Sequence, residues 1–283
     1  MARSKGAGAR RIVFSHANGF PAGTYRALFE TWRAAGFEVH APSKFGHDPR
    51  FPVTSNWPHL RDELTHFIDH EVDEPAFLVG HSMGGYVSVL AAARRPDLAQ
   101  GLVLLDSPIL SGWKARVLQL AKAAGVGERF SPAHVSRRRR QHWPSADAAY
   151  EHFAAKPVFA RWAPGVLRDY IASGTEVHEG GDATPQGRRL AFERAVETAI
   201  YNSLPHQVPR LLRLHPLQCP MAFVRGSASA EVRRVGLAAT RRLTHGRIST
   251  IEGTHLFPFE KPLETAAEVV RWIEAFRTPV PAR

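Results

Sequence analysis

The chain has 283 residues, of which 44% are hydrophobic and 22% charged, a composition that excludes intrinsic disorder and supplies a sizeable core for one large α/β domain or two average ones. The single cysteine, Cys219, excludes an internal disulfide framework and a Cys-rich zinc site. No apolar run reaches the length of a bilayer span, and the basic N-terminus leads into no apolar segment with a cleavage site, so a cytoplasmic protein is expected, with no membrane partner. The net charge of +11 is concentrated in two stretches: residues 1–11 hold four Lys/Arg and no acid, and residues 110–215 hold 16 Lys/Arg against 9 Asp/Glu. Only Arg137 to Arg140 forms a basic run, without the interleaved aromatics of a nucleic-acid stripe, so no nucleic-acid partner is expected.

In chain order, short apolar runs alternate with amphipathic segments, the pattern of a parallel sheet covered by helices. Strands are predicted at Ile12–Ser15, Glu38–Ala41, Ala76–Val79 and Leu102–Leu105, with helices at Ala22–Ala35, Trp57–Val72 and Met83–Arg94 between them. From Ser107 to about Pro216 there is no convincing β run. Helix-like pieces stand near Lys114–Ala124, Ala146–Ala155, Val166–Ser173 and Arg188–Ser203, an inserted helical layer. The rhythm resumes with a strand at Met221–Val224, a helix around Glu231–Leu243, a strand at Arg247–Ile251 and a closing helix at Leu263–Phe276. The expected fold class is therefore α/β, a mostly parallel doubly wound sheet of about six strands with an inserted helical cap. Its parts are a basic tail (1–10), a discontinuous core (11–109 and 216–283) and the cap (110–215).

Three motifs carry chemistry. Gly80-His81-Ser82-Met83-Gly84-Gly85 is a G-x-S-x-G sequence between a strand and a helix, where a tight turn forces the serine to its apex and aims helix N–H groups at the same point. Ser15-His16-Ala17-Asn18-Gly19-Phe20-Pro21, at the end of the first strand, is placed to offer a backbone N–H to a developing oxyanion; the expected donors are the amides of Asn18 and Met83. Gly253-Thr254-His255, after the last strand, supplies the imidazole that a serine hydroxyl needs to become a nucleophile.

In this order and spacing the motifs resemble the α/β-hydrolase superfamily, and within it the members that carry a helical cap after the strand following the nucleophile helix. The resemblance implies a serine hydrolase that needs no cofactor and forms an acyl-enzyme on Ser82 from a small ester or thioester. Hydrolysis of a C–C bond beside a carbonyl, or a non-catalytic binding protein on the same fold, are the alternatives. It also implies six parallel strands here, because only ten residues precede the first of them. The sequence departs from the pattern at the acid: the loop Arg225 to Glu231 holds no aspartate. Asp106, at the tip of Leu102–Leu105, is favoured; Glu231 is the alternative. No metal is expected, and His66 and His70, one helical turn apart, read as a solvated helix face. The basic insertion leaves two readings, a field that favours an anionic substrate or arginines facing solvent.

Overall fold

The computed structural model describes residues 10–123, 136–180 and 186–277; the basic tail before Arg10 lies outside them. Among the described residues nine strands are defined: β1 (Arg11–Ser15), β2 (Glu38–His40), β3 (Ala76–His81), β4 (Ala99–Leu105), β5 (His142–Trp143), β6 (Thr175–His178), β7 (Gly187–Leu190), β8 (Met221–Gly226) and β9 (Ile248–Ile251). Six of them form one parallel sheet in the order β2-β1-β3-β4-β8-β9.

The side-chain period of two explains why both faces of this sheet are covered. Phe14, Val79, Val103, Leu105 and Val224 point into one apolar cluster, where the helices Arg26–Ala34 and Pro262–Arg277 pack. Their neighbours Val13, Leu78, Leu102, Leu104 and Phe223 point into the other, beneath Pro58–Phe67 and Met83–Arg94. Trp32 fixes the first layer by donating its indole N–H to the Ala266 carbonyl at 3.1 Å.

The chain order reverses between β1 and β3, since β2 lies outside β1 and every later strand of the sheet lies on the far side of β3. A doubly wound sheet opens its ligand crevice at such a point, beyond the carboxyl ends of the strands. Ser15 pairs with Gly80 there, so the loop after β1 and the turn after β3 start side by side.

Between β4 and β8 the structure corrects the expectation of a purely helical layer. Helices run over Gly112–Ala123, Ala146–Ala154, Val166–Gly174, Arg194–Asn202 and Val208–Leu214. Alongside them β5, β7 and β6 form a small antiparallel sheet. The helix expected over Arg188–Ser203 thus begins as a strand. These strands of two to four residues have no sustained alternation to read, and β7 is held by cross-strand polar contacts such as Arg189 to Glu176, 2.7 Å. The helix expected around Glu231–Leu243 is likewise two, Ala230–Val235 and Ala238–Leu243, broken where Gly236 adopts φ +84°. No helix among the described residues is long and apolar enough to cross a membrane.

Candidate active site

Ser82 directly follows β3 and stands at the N-cap of the Met83–Arg94 helix with φ 54° and ψ −114°, a backbone conformation that a non-glycine residue holds only under constraint. The constraint is close packing on each side. A Cβ on Gly80 would come within 2.4 Å of the Gly84 backbone, and one on Gly84 within 1.9 Å of the Ser15 carbonyl oxygen. These glycines let the helix start abut the ends of β1 and β3. Met83 is the first helical residue, so its N–H has no acceptor within the helix.

The structure brings His255 to this serine. Its Nε2 lies 3.0 Å from Ser82 Oγ, and its Nδ1 lies 2.7 Å from Asp106 Oδ2. Asp106 follows β4 in a left-handed conformation, φ 47°, and its side chain is fully buried. Its Oδ1 accepts the Gly226 N–H at 2.9 Å and its Oδ2 accepts the Ser229 hydroxyl. Both carboxylate oxygens are thereby committed, and Nδ1 of His255 carries the proton it donates to Asp106. Nε2 is left with a lone pair for the Ser82 hydroxyl. Burial opposes a charge on His255, but the hydrogen bond to Asp106 and the negative charges of Glu231 and Asp106 outweigh it and raise its pKa above the ordinary imidazole value. Glu231 sits one turn into Ala230–Val235 with Oε2 3.7 Å from the same Nδ1.

The donor atoms of Asp106, Glu231 and His255 are the one set among the described residues close enough together to be metal ligands, all within 4.8 Å of one another. Nδ1 and Asp106 Oδ2 are already joined by a hydrogen bond, which commits the Nδ1 position to the carboxylate. The His66 and His70 ring centres lie 3.9 Å apart with the planes tilted by 39°, and the His70 Nδ1–H is donated to the His66 carbonyl. They line a separate surface cleft of about 480 Å³ with Lys44, His47, Arg50 and Glu63; none of Ser82, Asp106 and His255 borders it.

Two buried histidines that sequence reasoning passed over organise the surroundings. His81 donates its Nε2–H to the His255 carbonyl at 2.9 Å and accepts the Tyr25 hydroxyl proton at Nδ1, 2.7 Å away. Tyr25 in turn accepts the Ala17 N–H at 3.1 Å. One chain of hydrogen bonds therefore ties the loop after β1, the serine turn and the His255 loop together. His16 donates Nδ1–H to the Ala17 carbonyl at 2.8 Å and accepts the Phe45 N–H at Nε2, 3.0 Å away. Burial lowers the pKa of His16 to about 4 and that of His81 well below the ordinary value, so both are neutral. No local pattern announces the links of His16 to Phe45, Tyr25 to His81 and His81 to His255, which join residues 29 to 174 positions apart.

Two predictions follow from this network. Tyr25→Phe leaves a buried donor and a buried acceptor without partners and is expected to cost about 2–4 kcal/mol in denaturant unfolding. Acid should also destabilise the fold. Below the ordinary histidine pKa the unfolded chain takes up protons that neutral His16 and His81 refuse, so stability falls as pH drops from about 6.5 towards 4. His16 alone accounts for about 3 kcal/mol over that window. Melting temperatures of wild type and His16→Gln at closely spaced pH values check this, because the raised pKa values of Glu63 and His255 act in the opposite direction on the total; the variant should lose less stability in acid, and parallel profiles would contradict it.

The Ser15 to Pro21 loop turns at Gly19, φ +78°, with Asn18 buried and its side-chain Nδ2 donating to the Glu197 carbonyl at 3.0 Å. Against this loop rests an ion pair from the insertion, Arg139 to Glu197 at 2.6 Å, with Arg139 also donating to the Tyr170 hydroxyl. Arg139 is the one member of the 137–140 run that turns inward; Arg137, Arg138 and Arg140 are exposed. Phe20 packs against Trp162, Tyr170 and Phe259. Trp143, Phe153 and Phe159 are buried in the insertion, whereas Trp113 is 70% exposed and lies outside its core.

The alpha/beta hydrolase family matches residues 12–269. Among curated proteins, monoglyceride lipase of Rattus norvegicus is 36% identical over 107 residues, 35% of this chain and 35% of that protein. The chain thus aligns with about a third of that relative's length. Among solved structures, E-2-(acetamidomethylene)succinate hydrolase superposes with a TM-score of 0.72 at 23% identity, covering 95% of this chain and 93% of that one. A thioesterase domain from the curacin biosynthetic pathway gives 0.69 at 18% identity, covering 93% and 91%. At these identities the two structures speak for the fold, and the match over residues 12–269 spans the whole sheet and all three motifs: the chain belongs to the alpha/beta hydrolase family.

Proposed function

We propose that the protein is a serine hydrolase that cleaves small, uncharged acyl esters or thioesters through an acyl-enzyme on Ser82. The observation that carries this is His255, set between Ser82 Oγ at 3.0 Å and Asp106 at 2.7 Å. The family match and the lipase and thioesterase names among similar proteins support acyl chemistry.

In this reading Ser82 Oγ attacks the acyl carbonyl carbon while its proton passes to Nε2 of His255. Asp106 holds the imidazolium through the Nδ1–H bond and stays ionised. The carbonyl oxygen, now negative, is met by the backbone N–H groups of Asn18 and Met83, with the start of the Met83–Arg94 helix behind them. His255 then protonates the departing alcohol or thiol, leaving the acyl group on Ser82. Water gives a proton to Nε2 and attacks the acyl carbon; return of that proton to Ser82 Oγ releases the acid. In this reading the described residues of 11–109 and 216–283 are the core that carries this machinery, and those of 110–215 are the cap. Asp106 takes the place at Nδ1 that the Arg225 to Glu231 loop leaves without an aspartate.

An uncharged substrate is favoured because Arg139, the cation of the 137–140 run that reaches the oxyanion loop, is already neutralised by Glu197. The test is a panel of p-nitrophenyl esters and matched thioesters of graded acyl length, with and without a terminal carboxylate, run at two salt concentrations. Turnover of the neutral compounds that His255→Ala abolishes is expected, with little dependence on salt. Absence of turnover across the panel would overturn the reading. A carboxylate preference that collapses with salt would return the substrate to the anionic class.

A further inference from the structure

We propose that Glu231 is a second carboxylate of the site, a positioning residue that shares with Asp106 the task of holding the His255 imidazolium. The proposal rests on the serine-hydrolase reading above and deepens it. Its basis is that one imidazole nitrogen faces two acids from two different elements. Nδ1 lies 2.7 Å from Asp106 Oδ2, at the tip of β4, and 3.7 Å from Glu231 Oε2, on the Ala230–Val235 helix. Ser229 joins the two. Its hydroxyl is donated to Asp106 Oδ2, lies 3.4 Å from Glu231 Oε2, and caps the helix by accepting the Val232 N–H at 3.1 Å. The helix that carries Glu231 is therefore anchored through the residue that anchors Asp106.

The acids differ in what they supply. Asp106 is buried and held by three donors, Gly226 N–H, Ser229 Oγ–H and His255 Nδ1–H, which makes it a fixed guide for the ring. The Glu231 side chain is 46% exposed, so water lets it carry its charge at small desolvation cost while it stands beside the cation that forms when Ser82 is deprotonated. The other groups facing His255 bring no competing charge. His81, from β3, has its ring centre 5.1 Å away and is held neutral by burial. Ser82 is the proton donor itself. Tyr201, whose phenol is held protonated chiefly by burial, faces the Glu231 charge from the Arg194–Asn202 helix.

Two consequences separate this role from a structural one. Neutral His255 is the base, so kcat/KM rises with pH through its titration; removing a negative neighbour weakens the imidazolium and moves that acid limb to lower pH. A residue that merely supports the helix would lower activity without moving the limb. Secondly, the carboxylates are partners at one atom, so their losses are not additive. Above the limb, Glu231→Gln is expected to cost less than about threefold in the wild-type background, its charge being partly screened by solvent. In the Asp106→Asn background, where Glu231 is the remaining carboxylate near Nδ1, it is expected to cost at least about tenfold more.

The experiment is the pH profile of kcat/KM for wild type, E231Q, D106N and the double variant. It is paired with an NMR titration of the His255 ring in wild type and E231Q, assigned by comparison with His255→Ala. The proposal expects both the limb and the ring titration of E231Q to move to lower pH. A limb and titration left in place, or equal E231Q losses in both backgrounds, would overturn it. The NMR titration needs neither turnover nor the D106N fold. A ring that shifts in a protein without esterase activity would therefore refute the hydrolase reading and leave the electrostatic role standing; an active enzyme whose ring does not shift would do the reverse.

Discussion

Ser82→Ala is expected to lower ester hydrolysis by about three orders of magnitude or more while leaving the melting temperature close to that of the wild type. The loss is large because the hydroxyl forms the covalent bond to the acyl group, and neither His255 nor the backbone donors can replace it. The fold should survive because the hydroxyl supplies none of the packing at this turn. The main-chain angles are imposed by Gly80 against Gly84, by Gly84 against Ser15 and by the Ser82 N–H donated to the Leu105 carbonyl at 2.9 Å, and alanine retains all of these. Residual turnover near wild type would remove Ser82 from the mechanism. A collapse of the melting temperature would make the activity loss uninformative, and active-site labelling of the wild type would then decide.

Asp106→Asn is the second large effect, about a thousandfold in kcat/KM. The amide keeps the shape and can still accept the Gly226 N–H through its oxygen. The atom replacing Oδ2, however, is a donor, so it cannot accept the Nδ1–H. The imidazole then tends to the tautomer with its proton on Nε2, where it cannot take one from Ser82. Glu231 moderates the loss in the single variant, so the double variant is expected to be worse. Activity assays with thermal melts on the same preparations check both points. A D106N protein with more than about a tenth of wild-type activity would argue that another group orients the ring.

The parallel sheet was legible because each strand is a short apolar run between turn signals, and the two sheet faces emerge from simple alternation along Phe77-Leu78-Val79 or Leu102-Val103-Leu104-Leu105. The serine turn was legible for a local reason too, since three glycines around one serine leave few other conformations. What stayed hidden depends on contacts distant in sequence. The strands of the insertion are held by pairing between residues 9 or more positions apart, as in His178 with Gly187 or Glu176 with Arg189, and Gly-Arg-Arg-Leu has no strand signature of its own. Arg139 sits in a run of four arginines that composition cannot tell apart; its burial comes from Glu197, 58 residues away. The position of Asp106 at a strand tip could be read. Its 2.7 Å approach to His255 could not, because that distance exists only where β4 and the loop after β9 come together.

The central claim is that Ser82 is a nucleophile activated by His255, and active-site labelling tests it without any knowledge of the natural substrate. The protein is treated with a fluorophosphonate, and the modified peptide is located by mass spectrometry in wild type, Ser82→Ala and His255→Ala. The account predicts one phosphonyl group per chain, on Ser82, added far faster than to free serine, absent from Ser82→Ala and strongly slowed in His255→Ala. Labelling no faster than background, or labelling at another residue that persists in Ser82→Ala, would contradict it.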